Sequence, residues 1–317
     1  MGKLILGDCE KILTGDYQKR LNGKVQLILT SPPYPLNRKK SYGNLSGREY
    51  KKWFVSLAPL FGELLTPTGS IVIELGNSWI RGRPVQSLLH LECLLGFVKH
   101  PKADLRLCQQ FICYNPARLP SPAQWVTINK IRATDSFTHL WWIARTDFPK
   151  ADTTKVQRPY SQAMKTLLRT RSYNNGSRPS QHQISETGFL SDRGGSTPQN
   201  LFELERLDLS RDPRLPSVID FANTSSNDFF LKYCREKKID PHPARMPAGL
   251  AAFFIQMLTE KGDLVLDPFA GTNTTGFIAE DAGRRWLALE RDKKYVRQSK
   301  IRFKDPDLGH KFAGGRA

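Results

Sequence analysis

The chain has 317 residues, 25% charged and 39% hydrophobic, a balance that excludes general disorder and leaves room for a full α/β core with a smaller second region. Net charge is +18, from 48 Lys and Arg against 30 Asp and Glu, which points to a polyanionic partner because phosphates attract basic surfaces and release counterions on contact. No apolar run is long enough to span a bilayer, Met1–Leu6 is too short for a signal peptide, and five cysteines without a Cys-x-x-Cys pair argue against a zinc site or a disulfide framework, so the expectation is a soluble, cytoplasmic protein without a metal.

Val25–Thr30 (VQLILT) is apolar, short and β-branched, the composition of a buried strand. Glu49–Leu65 carries apolar residues at helical spacing and ends before Thr66-Pro67-Thr68-Gly69, a stop-and-turn signal. Ser70–Leu75 (SIVIEL), Gln110–Tyr114 and His139–Ala144 read as further strands, with Trp141 and Trp142 as core and sheet packing. From about Lys150 to Asp240 the strand-like runs vanish and Ser, Asn, Arg, Gly and Pro dominate. The pattern then resumes. Ala248–Glu260 follows Pro247 and stops at Lys261-Gly262, a helix with a proline start and a glycine end. Asp263–Leu266 and Arg285–Leu289 read as strands around a helix over Gly276–Ala282. This alternation predicts an α/β fold, a doubly wound and mostly parallel sheet, built from residues 1–149 and 241–317 with 150–240 inserted.

Two loops carry chemistry. The strand Val25–Leu29 runs into Thr30-Ser31-Pro32-Pro33-Tyr34, and ligand crevices of open α/β sheets lie beyond the carboxyl ends of strands. Two prolines stiffen the loop and leave carbonyls free as acceptors. Ser31 and the carbonyl of Pro32 can accept the two N–H bonds of an exocyclic amine, freeing the nitrogen lone pair, while Tyr34 stacks on the ring. The second loop, Asp267-Pro268-Phe269-Ala270-Gly271-Thr272-Asn273-Thr274-Thr275, leads from a strand into a helix, where small residues and free N–H groups suit a bound cofactor. Glu290, about twenty residues on, stands where Rossmann-type folds place the carboxylate that holds ribose hydroxyls.

At these sites the sequence resembles the amino-methyltransferase family of DNA-modifying enzymes, over Gly7–Ala144 and His242–Asp292. The resemblance implies a Rossmann-like S-adenosylmethionine-dependent methyltransferase fold, with Asp8, Thr30, the loop from Asp267 to Thr275 and Glu290 at the cofactor. It implies that Ser31, Pro32, Pro33 and Tyr34 hold a base flipped from double-stranded DNA. His242-Pro243-Ala244-Arg245-Met246-Pro247 resembles the segment before the family's cofactor helix. Motif order resembles the permuted β group and makes 150–240 the target-recognition region. Where the family often has Gly-x-Gly, Gly271 is followed by Thr272-Asn273, and asparagine best tolerates the left-handed backbone such a turn needs. Ser-Pro-Pro-Tyr is associated in the family with N4 of cytosine and Asp-Pro-Pro-Tyr with N6 of adenine, so N4-cytosine is expected. N6-adenine methylation and a catalytically inert DNA-binding protein are the alternatives. C5 chemistry lacks its Pro-Cys nucleophile. The family setting implies a restriction endonuclease of the same specificity, and one catalytic region with one recognition region is compatible with a monomer. DNA contacts are expected from a basic flap, Arg38-Lys39-Lys40 through Lys51-Lys52 with Tyr42 and Tyr50 interleaved, and from Arg169 and Arg171 in the insertion.

Overall fold

A computed structural model of the chain describes residues 2–34, 45–203, 229–242 and 245–305. β1 (Gly2–Leu6) leads into α1 (Cys9–Leu13), α2 (Asp16–Leu21) and β2 (Val25–Thr30); α3 (Gly47–Leu64), β3 (Leu65–Gly76) and α4 (Leu89–Val98) follow. The hairpin of β4 (Arg106–Tyr114) and β5 (Phe137–Ala144) precedes α5 (Gln162–Thr170), β6 (Gly176–Ser177), β7 (Gln183–Ile184) and β8 (Leu201–Glu203). Then come α6 (Phe229–Glu236), α7 (Ala248–Leu258), β9 (Leu264–Asp267), α8 (Thr274–Asp281), β10 (Arg285–Glu290) and α9 (Lys293–Arg302).

Among the described residues the main sheet has eight strands in the order β1-β10-β9-β2-β3-β5-β4-β8, with only β5 antiparallel to its neighbours. It is the doubly wound sheet expected from the sequence. β9 pairs with β2, so the chain's two ends close one sheet. Every residue of β2 is buried, with Ile28 facing the core under α3 and α4 while Leu27 and Leu29 face the one under α7 and α8. Burial on both faces is what an unbroken apolar run means, at roughly 1.5–3 kcal/mol for each large aliphatic side chain.

Several expectations are corrected. Thr66–Gly69 is not a turn but the start of β3. Gln26, buried in β2, donates to the Thr68 carbonyl at 3.1 Å and accepts from Thr66 Oγ1 at 2.7 Å, holding these residues in the sheet. Tyr50 does not belong to a flap. It is fully buried in α3, with its ring 6.0 Å from Phe54, and Lys51 on the same helix pairs with Glu92. Arg38, Lys39, Lys40 and Tyr42 lie outside the described residues. Residues 150–240 contain elements that no strand-like run announced: α5, the β6–β7 pair, and β8, which joins the sheet through three residues beside β4. No helix among the described residues is long and apolar enough to cross a membrane.

Candidate active site

The carboxyl ends of β2, β3, β9 and β10 surround one cavity of about 730 Å³, inside the range of small-molecule sites. β9 delivers Asp267, whose Oδ1 accepts from Thr30 Oγ1 at 2.7 Å and from Phe269 N–H at 3.1 Å. Burial pushes this carboxyl up to about 6, against the pull of bonds from Thr30, Thr275 and the Phe269 backbone. The chain then turns through two left-handed residues, Gly271 at φ 52° and Asn273 at φ 58°. Asn273 thus adopts the conformation that its side-chain chemistry tolerates. Its Oδ1 caps α8 by accepting from Gly276 N–H at 3.1 Å. A Cβ on Gly276 would lie 2.3 Å from that oxygen, so only glycine leaves room for the cap. From behind, Arg302 donates to the Thr272 carbonyl at 2.9 Å.

β10 ends in Glu290, which accepts from Gly271 N–H and from Asp292 N–H, both at 2.8 Å. Burial raises its carboxyl above the ordinary range while these two backbone bonds oppose the rise. Beside it, just past the end of β1, Asp8 caps α1 by accepting from the N–H groups of Glu10 and Lys11. Trp53 of α3 donates to Glu10 at 2.9 Å and meets Phe269 edge-on, the ring centres 5.6 Å apart. Asp8, Glu10, Trp53, Asp267, Phe269, Gly271 and Glu290 all line the cavity, with Pro268, Ala270, Thr272, Thr274 and Thr275.

Ser31, Pro32, Pro33 and Tyr34 line the same cavity. The Tyr34 ring backs onto Gly76, where an added Cβ would fall 2.6 Å from Cε2. Beneath the loop sits Glu74 of β3, only 9% exposed. It accepts from Thr138 Oγ1 at 3.1 Å, and the hydroxyls of Tyr34 and Ser31 face it and favour its ionised form. Burial raises the Glu74 carboxyl, while those hydroxyls and the nearby Arg118 guanidinium pull it back. Burial likewise pushes the Tyr34 phenol well up. An ionised carboxylate only accepts hydrogen bonds. A Ser31 hydroxyl turned to Glu74 leaves its lone pairs for Tyr34, which it also faces, or for an incoming donor.

The structure brings both predicted loops, Asp8 and Glu290 to one cavity. Thr30 and Asn273 are buried and stand behind its wall, acting through Asp267 and α8. Arg169 and Arg171 are exposed at the end of α5 and do not line it. Sequence reading missed Glu74, Arg118, Asn115, Trp53 and Thr138. A signal existed for Glu74, because an acid inside the apolar run SIVIEL is rarely buried without a task.

A family model described as DNA methylase matches residues 25–301. The chain belongs to this DNA methylase family. It is 38% identical over 309 residues to the type II methyltransferase M.PvuII of Proteus hauseri, covering 97% of this chain and 85% of that one. A shorter match, 37% over 67 residues, joins it to the type II methyltransferase M2.DpnII of Streptococcus pneumoniae, covering 21% of this chain and 25% of that one. Among solved structures, the cytosine-N4-specific PvuII DNA methyltransferase superposes with a TM-score of 0.71 at 33% identity, covering 97% of this chain and 88% of that one. A DNA modification methylase of Thermus thermophilus, TTHA0409, complexed with S-adenosyl-L-methionine, shares the fold with a TM-score of 0.53 at 20% identity, over 96% of this chain and 93% of that one. The Rossmann-like fold of this family member therefore matches the expectation from strand alternation and from the family resemblance.

Proposed function

We propose that the chain transfers a methyl group from S-adenosylmethionine to the exocyclic N4 amine of cytosine at a specific sequence in duplex DNA. The observation that carries this reading is 38% identity across 97% of the chain to M.PvuII, whose family counterpart in the solved structures is cytosine-N4-specific. The cavity fits the cofactor. Gly271 leaves bare backbone at the loop, where a Cβ would meet nothing nearer than His242 at 3.8 Å. Asp8 and Glu290 offer carboxylate oxygens for hydroxyls, and Phe269 and Trp53 offer aromatic surface for an adenine or a sulfonium. When bound, S-adenosylmethionine supplies the electrophilic methyl group.

The remaining chemistry belongs to side chains at the end of β2 and β3. The target cytosine leaves the stack, because its amine is otherwise paired. Tyr34 packs on the base. Ser31 Oγ and the Pro32 carbonyl accept the amine's two hydrogens and draw the lone pair out of conjugation. Glu74 fixes the Ser31 hydroxyl in its accepting orientation. After transfer the nitrogen carries one proton too many; it passes to Ser31 Oγ as the serine's own proton passes to Glu74, whose raised pKa suits it to receive one. Alignment of the two reactants supplies much of the acceleration.

Residues 150–240 read the target sequence in this proposal, and the type II designation of M.PvuII supports a companion nuclease of the same specificity. The enzyme acts as a monomer. The test incubates the protein with unmethylated bacterial DNA and S-adenosylmethionine and analyses nucleosides by mass spectrometry. N4-methylcytosine is expected. N6-methyladenine overturns the base assignment, and the absence of any methylated nucleoside overturns the activity.

A further inference from the structure

Beyond β3 the chain doubles back on itself. Trp79 bridges Gln86, and Ile80 N–H donates to the Val85 carbonyl at 2.9 Å, so Arg81 and Arg83 ride on the exposed tip around Gly82. The long connection from β4 to β5, residues 115–136, comes up beside this hairpin and is locked to it. Asn77 Nδ2 donates to Asp135 Oδ1 at 3.0 Å. The Arg132 guanidinium lies over the Trp79 ring at 3.5 Å and donates to the Pro84 carbonyl.

Together the two loops carry Arg81, Arg83, Arg118, Lys130 and Arg132 against one acid, Asp135, which Asn77 already engages. Exposed apolar side chains stand among these cations. Leu119 is 80% exposed, and Leu88, Ile128 and Ile131 also face solvent. The platform begins at the cavity wall, since Asn115 and Arg118 line the cavity and Leu119 is the next residue outward. Both loops leave the carboxyl edge of the sheet, on the side of Ser31–Tyr34 away from the β9 and β10 loops.

We propose that this locked pair of loops is a duplex-DNA-gripping platform, in which Arg81 and Arg83 contact phosphates beside the target base and the exposed apolar residues meet the groove. Phosphates require cations on a surface with little competing acid, and apolar side chains next to a flipped base meet the sugar and base edges left behind. The Trp79–Arg132 stack gives the platform rigidity, so that the cations stand at a fixed distance from the cavity. The proposal rests on the DNA reading above, and it gives part of the grip to a surface distinct from the 150–240 insertion.

The test measures binding of the full chain to a fluorescein-labelled mixed-sequence duplex by anisotropy across a salt series. The variant R81A/R83A is compared with wild type and with K24A/K102A, which loses the same charge from exposed lysines preceding β2 and β4 at the opposite edge of the sheet. R81A/R83A should weaken binding on the order of tenfold at 0.1 M salt and flatten the log–log salt dependence by about 2, one contact for each arginine. K24A/K102A should keep the wild-type slope. S-adenosylmethionine binding and thermal melting, unchanged in R81A/R83A, check that it is folded. Wild-type affinity and slope in R81A/R83A overturn the platform alone, as does an equal loss in K24A/K102A. A wild-type protein that binds no duplex overturns the DNA reading and the platform with it.

Discussion

An alanine at position 76 would place its methyl carbon 2.6 Å from Tyr34 Cε2 and 2.9 Å from Cδ2, where ordinary contact begins at 3.4 Å. Gly76 pairs with Thr138 in the sheet, so its backbone has little freedom to retreat. The tyrosine ring must give way instead, by roughly 1 Å, and its hydroxyl is tied to Glu74. In the proposed mechanism, displacing the ring drags on the Glu74–Ser31 arrangement that aims the amine acceptor. Overpacking of this kind costs about 1–3 kcal/mol of stability, a loss of several degrees in melting temperature. A misplacement near 1 Å costs about a hundredfold in turnover. Gly76 does not line the cavity, so S-adenosylmethionine affinity should be unchanged. The assay is single-turnover methylation of unmethylated DNA, with cofactor affinity by calorimetry and melting measured alongside. Turnover within twofold of wild type, with an unaltered melt, would refute the coupling of Gly76 to Tyr34 and from there to the acceptor.

Glu74→Gln should cut turnover on the order of a hundredfold or more while cofactor binding persists, as expected when a proton acceptor is removed. Because burial raises the Glu74 carboxyl above 4.5, wild-type turnover should fall with acidity before ordinary carboxylates titrate; an identical acid limb in the variant would rule Glu74 out as its source. Asp267→Asn tests burial of charge. The folded-state pKa is raised from 3.8 to about 6, so the destabilisation is absent below the unfolded value and builds as pH rises through the folded one, to about 3 kcal/mol at 1.36 kcal/mol per unit. The variant's stability relative to wild type should therefore improve between about pH 4 and pH 6 and level off above that in urea unfolding, and a constant difference would count against the raised pKa. Arg118 lines the cavity with Nη1 on the Phe137 carbonyl at 2.9 Å, leaving donors suited to the O2 carbonyl of cytosine, which adenine lacks. Arg118→Met should lower kcat/KM about tenfold to a hundredfold, the range for a hydrogen bond to a charged group, and an unchanged value would remove Arg118 from base recognition.

Much of the site is legible in the chain because its signals are local. The run Val25–Leu29 followed by Ser31–Tyr34 is a strand feeding a stiff acceptor loop, and its burial on both faces is written in its own composition. The turn at Gly271–Asn273 is legible for the same reason, since left-handed backbone is a property of the residue that adopts it. Tyr50 is misplaced by a sequence reading because the basic residues around it outweigh its place in the helical period of Glu49–Leu65, which already covers it. Thr66–Gly69 misleads because a Pro and a Gly usually punctuate, whereas here Gln26 on the neighbouring strand holds them in register.

The sequence by itself determined the strand alternation, the two loops and the family. Tertiary structure alone decided that Glu74 underlies Ser31, that Thr30 bonds Asp267 across the chain, and that Arg132 locks two basic loops at Trp79. The physical reason is range. Periodicity, turn chemistry and backbone preference act within a few residues, but the order of strands in a parallel sheet is set by burial summed over the whole molecule. Only once β2 lies between β9 and β3 do a serine, a tyrosine and a buried acid meet.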